Sequence, residues 1–417
     1  MAIIRPFEAL RPPVHLAPRV AALPYDVMDV EEARQMAGEN SDSFLHISRP
    51  EIDLPASLDP HADEVHQQGR LNLQRFIERK TLIREAAPCY YIYRQRMGAI
   101  VQTGLVACAA VDDYVSGVIK KHEHTRADKE EDRIRHIDTL DANDEPVFYI
   151  FRSHPEVEEI LAGASYEPPD YNFTTDDGVS HKLWVVADPY LIEQLTRLFS
   201  DIPTLYVADG HHRSAAAAKV RDLRKAANPD HTGNEEYNFF LTVIFPESQL
   251  NIMPYNRVVH DLNGLDTPQF LDTVSKSFVI TAAPAPLAPE TRHQFGMYLG
   301  RQWYRLQVRP ELADEANTVG RLDVSILQNH LLHPVLGIEN PRTDKRISFV
   351  GGIRGLDELV RLVDSGDYAV AFSMHPSGIK ELMDLADDNQ IMPPKSTWFE
   401  PKLRSGLFVH LLSQAEQ

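Results

Sequence analysis

Cysteine is scarce. The 417 residues hold only Cys89 and Cys108, too few for a disulfide framework or a cysteine-rich zinc site and in keeping with a compartment that keeps thiols reduced. Also missing is any apolar run of the roughly 18 residues needed to span a bilayer. The opening stretch "MAIIRPFEALRPP" has prolines where a signal peptide carries its apolar helix, so a cytoplasmic protein with no membrane partner is expected. Basic residues are in deficit as well, 42 against 61 acidic ones, for a formal charge of -19. A long phosphate polymer is repelled by such a surface unless one basic face is segregated. No such face stands out, which argues against a nucleic-acid partner.

What remains is ordinary for a folded chain, 43% hydrophobic and 25% charged, and long enough for two lobes. Asp29 is placed to cap a helix running to about Met36, because its carboxylate accepts from unpaired first-turn amides. "APCYYIYRQRM" (87–97) and "IVQTGLVACAAVDDY" (100–114) read as a β-hairpin, rich in β-branched and aromatic residues around a glycine turn. "EPVFYIFR", "KLWVVAD" and "EYNFFLTVIFPES" read as buried strands, and "LIEQLTRLF" has helical spacing. Residues 127–138 mix charge signs, with Glu131 four residues before Arg135, the pattern of a solvated helix face. From about Asn251 onward helix and strand alternate again. The expectation is an α+β (mixed α/β) protein with an N-terminal lobe, 1–250, and a C-terminal α/β lobe, 251–417, contributing to a substrate cleft.

The stretch "TLYVADGHHRSAAAAKVRDLRKAA" (204–227) reads as strand, tight turn and helix. Unpaired amides and the positive dipole end at such a helix start favour anions, and Gly210 lacks the side chain that would block a phosphate. Arg213 offers a fork of donors, and His211 and His212 add imidazoles able to contact two sides of a polyphosphate. The same residues also fit a helix capped by Asp209 with two surface histidines.

A second cluster is "KKHEHTRADKEEDR" (120–133). Thr125 and Asp128 have the spacing of a capping box, which puts His122, Glu123 and His124 in an exposed turn before a helix. Lys120, Lys121 and Arg126 surround Glu123 with positive charge, a setting that keeps it ionised as a proton acceptor or metal ligand. A plain solvated turn and a zinc site built from His122, His124, His211 and His212 fit the same stretch, although the tight helical spacing of zinc hydrolases is absent. Less decisive polar positions are His46 and Arg49, a second anion contact or a strand end, and Arg257, His260 and Trp398.

"HEHT", "VADGHHR", "GDYAVAF" and "MPPKSTWFEPKL" together resemble the signatures of a widespread microbial family of about this length, over essentially the whole chain. The same blocks in the same order also resemble the much shorter free-serine kinase of the ParB/sulfiredoxin-like superfamily. Its "PHE" turn, "VDGHHR" turn and "SPKTTR" loop are matched by "KHE" (121–123), "ADGHHR" (208–213) and "PPKSTW" (393–398). That resemblance implies a ParB/sulfiredoxin-like nucleotide-binding core in the N-terminal lobe. It makes Glu123 the base that takes the proton from the hydroxyl of L-serine. Asp209, Gly210, His211, His212, Arg213 and Ser214 would then hold the phosphates of ATP or ADP, with Asp209 catalytic and a partner of Mg2+. His122, His124 and Thr125, with Lys395, Ser396 and Thr397, would serve the acceptor.

The chain departs from that pattern in two places. Between Glu123 and Asp209 lie 85 residues, including "NDEPVFYIFR", far more than in the small kinase, an insertion able to form a lid or a different substrate pocket. The loop after Thr397 reads "WFEPKL", without the arginine and histidine of the small enzyme. A sulfiredoxin-like reductase would need a cysteine in the Asp209 turn. A ParB-like DNA switch would need a basic recognition helix, and neither is present. A ParB-like nucleotide-binding regulator without kinase activity stays open, since it does not need Glu123.

Overall fold

The computed structural model describes residues 1–413. The chain divides into two compact units, one formed by Met1–Leu250 together with the stretch from Pro401 onward, the other by Asn251–Glu400. The stretch after Pro401 was expected in the second lobe. It belongs to the first because its backbone pairs there: His410 and Leu411 bond antiparallel to Asn143 and Ala142, and Ser405 pairs with Ala22.

The first unit is built on one mixed sheet. Its strands in chain order are β1 (Ile4–Arg5), β2 (Tyr90–Met97), β3 (Ile100–Ala110), β4 (Ile119–Lys120) and β5 (Val147–Phe151). They are followed by β6 (Tyr171–Thr174), β7 (Ser180–Val186), β8 (Leu205–Asp209) and β9 (Phe239–Pro246). Across the sheet the order is β4-β8-β5-β9-β3-β2-β7-β6, with β1 added to β3. The hairpin β2–β3 closes at Gly98, whose φ of 58° the turn requires. Its second strand stops at Ala110, where Val111–Ser116 turns helical with Asp112 and Asp113 in the first turn, a place that suits carboxylates better than a strand does.

The segment between the two motifs is not a lid. "VFYIF" is β5, fully buried between β8 and β9 near the middle of the sheet. A continuous apolar run is what a strand covered on both faces needs. Among the helices of the unit are α1 (Val30–Ala37), α2 (Asp63–Glu78), α3 (Ala127–Leu140), α4 (Pro189–Ser200) and α5 (His211–Ala227). Asp29 caps α1 in a capping box with Glu32. The small side chains Ala215, Ala217 and Ala218 let α5 join the same buried cluster as Tyr149, Leu205 and Val207 of the sheet.

The second unit holds an antiparallel sheet of β10 (Tyr255–Val259), β11 (Phe278–Ala283), β12 (Gln294–Leu299), β13 (Gln302–Val308), β14 (Ile347–Gly351) and β15 (Val370–Met374). Their order is β11-β13-β12-β15-β10-β14. Helices α6 (Gly355–Asp364) and α7 (Ile379–Asp387) flank it in sequence, and Leu359 of α6 joins the buried cluster of Val258, Tyr298 and Ala371. The fold is therefore mixed α/β in the first unit and antiparallel α+β in the second. Among the described residues no helix is long and apolar enough to cross a membrane.

Candidate functional site

Strands β4 and β8 are parallel neighbours, with Ile119 opposite Leu205 and Lys120 opposite Tyr206. Glu123 follows the end of β4 by three residues and Asp209 is the last residue of β8. Both motifs thus leave the sheet at the carboxyl ends of adjacent parallel strands, the general position of ligand crevices in α/β sheets.

The Asp209 turn is shaped by a change of register. Val207 faces Tyr149 but Asp209 faces Phe148, so β8 carries one extra residue there, and such a bulge bends the strand and re-aims the side chains beside it. Gly210 follows with φ 94° and ψ 30°, left-handed values that favour glycine, and acts as the N-cap of α5. A Cβ at this position would lie 3.2 Å from the Arg213 guanidinium and 3.2 Å from Val147. The space glycine leaves on that side is filled by Arg213, not held open for a phosphate.

Asp209 does not cap the helix through the N2 or N3 amide. One of its oxygens accepts from the Gly210 N–H at 2.8 Å, and the other receives Lys402 Nζ at 2.9 Å. Burial alone would raise this carboxyl. Lys402 and then Arg213 outweigh burial and hold it well below the usual carboxylate range. Arg213 is itself buried: it donates to the Pro146 carbonyl at 2.5 Å and lies 3.7 Å from Asp209 and 3.8 Å from Asp26. Behind it the buried Glu145 accepts from the Tyr25 N–H at 2.9 Å and the Ser405 hydroxyl at 2.8 Å. Burial, and then the charge of Asp144, push the Glu145 carboxyl up to about 7. Ser214 is fully buried, its hydroxyl bonded to the Gly210 carbonyl and to the Tyr149 hydroxyl.

The Glu123 turn is hung on the Asp209 turn. His122, expected in an exposed turn, is only 2% exposed. Its ring hydrogen-bonds the Val207 carbonyl and meets the His211 ring edge-on, with centroids 4.5 Å apart. Burial pushes His122 down to about 4, and burial followed by the charge of His122 pushes His211 well below its ordinary value. Both rings are therefore neutral at pH 7, and among the described residues His122 Nδ1 and His211 Nε2 have no hydrogen-bond partner. The Arg126 backbone N–H donates to His212 Nε2 at 3.1 Å. A ring nitrogen that accepts carries no proton, so His212, held neutral by burial, presents N–H at Nδ1.

Glu123 is half-buried and His124 exposed. The capping box expected from Thr125 and Asp128 does not form. Arg126 is the N-cap of α3 without a side-chain cap, and the Thr125 hydroxyl donates instead to Glu130 at 2.7 Å. The α3 face expected in solvent is partly inside, with Asp132, Arg133 and His136 buried and Arg135 paired to Asp63.

Lys395, Ser396 and Thr397 lie in the second unit. Lys395 is exposed, with φ 57°, its ammonium 5.4 Å from the Tyr255 ring centre and its carbonyl accepting from Arg257 at 3.0 Å. Ser396 is buried and donates to the Pro393 carbonyl. Thr397 is half-buried. The structure thus places six of the motif positions, Asp209 to Ser214, with the 122–125 turn in one unit and these three in the other. His46 pairs with Asp53, and Arg49 donates to the carbonyls of Tyr25 and Met28, so both are held internally. Sequence reasoning missed Lys402, which lies within the quoted "WFEPKL", the exposed Asp26 and the buried Glu145. Only the chain's return to the first unit brings Lys402 to Asp209.

Among the described residues no three His, Cys, Asp or Glu side chains converge as a metal cage. A hard cation that keeps its water and binds phosphate needs only one or two carboxylates, and Asp209 at the start of α5 is the carboxylate that fits this demand.

Solved structures similar to this chain are distant. They include a conserved hypothetical protein from Pyrococcus furiosus, with 13% identity and a TM-score of 0.34 over 74% of this chain and 95% of that one. A point mutant of a free serine kinase in complex with AMP has 12% identity and a TM-score of 0.34, over 71% and 87% of the two chains. SbnI with C-terminal truncation from Staphylococcus aureus has 13% identity and a TM-score of 0.38, over 75% and 90%. No curated protein matches the chain. The family model described as "Protein of unknown function (DUF1015)" matches residues 4–325, well over half of the length, and the chain belongs to that family.

Proposed function

We propose that the protein is a small-molecule kinase that transfers the terminal phosphoryl group of ATP or ADP to the hydroxyl of free L-serine, giving O-phospho-L-serine, on a ParB/sulfiredoxin-like core. The observation that carries this reading is that the turn holding Glu123 and the helix N-terminus at Gly210 follow the carboxyl ends of two adjacent parallel strands. A carboxylate beside an anion-binding helix start is what proton removal coupled to phosphoryl transfer needs.

In this reading the Glu123 carboxylate takes the proton from the serine hydroxyl as its oxygen attacks the terminal phosphorus, and the bond to the leaving ADP or AMP oxygen breaks. The first-turn amides of α5 and the Nδ1–H of His212 hold the phosphates. Neutral His122 and His211 fix the two turns against each other without adding charge. Arg213 and Ser214 act from behind, as positioning residues, through Gly210 and Asp209. Asp209 would hold Mg2+ bound with the nucleotide, as its one protein carboxylate, and the ion would supply charge neutralisation. His124 and Thr125 flank the base on the acceptor side, and the resemblance of "PPKSTW" to the small kinase assigns Lys395, Ser396 and Thr397 to the acceptor as well.

The test is phosphorus NMR on the purified full chain with L-serine and the magnesium salt of ATP or ADP. A phosphoserine signal is expected, and Glu123→Gln should lower turnover about 10²–10⁴-fold while nucleotide affinity stays the same. Nucleotide binding without phosphoserine, indifferent to Glu123→Gln, would replace the kinase by the nucleotide-binding regulator.

A further inference from the structure

Behind the Glu123 turn lies a cavity of about 280 Å³ that phosphoryl transfer does not use. It is below the volume of about 300–1,000 Å³ typical of sites for drug-sized ligands, so its occupant has few heavy atoms. One wall is a stripe of α3, in which Lys129, Asp132, Arg133 and His136 follow the spacing i, i+3, i+4, i+7 of a single helix face. The facing wall is α2, with Val65 and His66.

Most charges around this space are already matched. Arg133 grips Asp132 with two nitrogens, at 3.0 and 2.7 Å, and lies over the Tyr25 ring. Arg49 pairs with Glu51 at 2.6 Å. His61 Nδ1 reaches Asp132 at 2.7 Å, and His136 Nε2 reaches Asp144 at 3.0 Å. What stays uncommitted is specific. His66, 2% exposed, has no hydrogen-bond partner at either ring nitrogen among the described residues, its Nε2 lying 3.8 Å from the already matched Asp132, and His136, 1% exposed, has none at Nδ1. Lys129 is half-buried on the same lining and takes part in no ion pair among the described residues.

Buried polar atoms are rarely left unmatched. Burial, and then His136, push His66 down to about 4, so at pH 7 it offers one donor and one acceptor. The His66 and His136 rings meet edge-on with centroids 5.9 Å apart, so a hydroxyl, which donates and accepts, can bridge one ring nitrogen of His66 and Nδ1 of His136, and the group that answers Lys129 is an anion. We propose that this cavity binds a small hydroxycarboxylate, with its hydroxyl on His66 and His136 and its carboxylate on Lys129. The site is separate from the Glu123 turn and does not depend on the kinase reading.

The probe is glycerate, titrated into the full chain with isotope-labelled histidine and followed by NMR and calorimetry. Glycerate is expected to move the ring signals of His66 and His136. Glycerol, which lacks the carboxylate, and propionate, which lacks the hydroxyl, should each bind about tenfold more weakly or worse. Lys129→Met, at a position with no structural partner, should weaken glycerate about tenfold, and His66→Gln should weaken it while the fold is checked by melting temperature. Glu123→Gln should bind glycerate like the unmodified protein. Ring signals that do not move, propionate binding as well as glycerate, or loss of the shifts in Glu123→Gln would each overturn the proposal.

Discussion

The turn that carries Asp209 and the turn that carries Glu123 leave neighbouring parallel strands at the same end of the sheet, yet they are held by different means. The first is fixed by covalent and ionic constraints: a bulge, a left-handed glycine, the buried Arg213 and the Lys402 pair. The second has no side-chain cap on the helix that follows it and is tied to the first by the His122 ring on His211 and the Arg126 amide on His212. A site that must hold a fixed polyanion and also admit an acceptor benefits from this division. In the proposed kinase, the turn assigned to the phosphates is the one fixed by buried charge, and Glu123, the proposed base, sits on the other.

The sharpest way to break the comparison is to remove the ion that secures the rigid side. Arg213→Met takes away the guanidinium between Asp209, Asp26 and the Pro146 carbonyl and leaves the half-buried Asp209 and the buried Glu145 without it. The expected loss of unfolding free energy is about 3–5 kcal/mol, read from urea denaturation midpoints. Glu123→Gln, on the other turn, should keep the original midpoint. A small loss in Arg213→Met would mean that the Asp209 turn is not held by its buried charge.

A smaller effect separates the two turns by pH. Glu145, behind Arg213, is raised to about 7 from an ordinary 4.5, so the folded state binds the extra proton. Its contribution is full below about pH 4.5 and is lost as pH rises through 7. His122 is depressed to about 4 from 6.5, so its contribution is full above 6.5 and is lost as pH falls towards 4. Replacing Glu145 by glutamine isolates the first term. Between pH 5 and pH 8 the unmodified protein should lose about 2 kcal/mol relative to Glu145→Gln, measured as the difference in unfolding free energy at the two pH values. Parallel curves for the two proteins would place that proton elsewhere.

How much of this was legible in the sequence depends on how local the cause is. The hairpin 90–110 and the strand and helix around Gly210 show in their own residues, through β-branched runs, a turn glycine and an alanine-rich helix. The buried face of α3 does not. Asp132, Arg133 and His136 look like surface charges until Tyr25, His66 and Asp144 supply their partners, and those lie elsewhere in the chain. "EPVFYIFR" reads as a buried strand and is one, β5; what its residues do not show is that it lies between β8 and β9 inside the sheet rather than in a lid. Lys402 reaches Asp209 across 193 positions, a tie no local pattern announces.

The finest distinction between the turns rests on Thr125. Its hydroxyl donates to Glu130 across the start of α3 at 2.7 Å, and it follows Glu123 by two residues. With no side-chain cap on that helix, this bond ties the loop of the proposed base to the first turn of the helix it enters. Thr125→Val keeps the side-chain shape and removes the donor, so stability should fall by only about 0.5–1.5 kcal/mol. Turnover should fall by a larger factor than that loss implies if the bond orients Glu123, because a base a fraction of an ångström out of line loses catalytic advantage without unfolding anything. Nucleotide affinity, which belongs to the rigid turn, should not move. Measuring melting, nucleotide affinity and phosphoserine production on this one variant therefore tests the division directly: a matched fall in affinity would show the two turns to be a single rigid unit, and unchanged turnover would show that Thr125 stabilises the helix start alone.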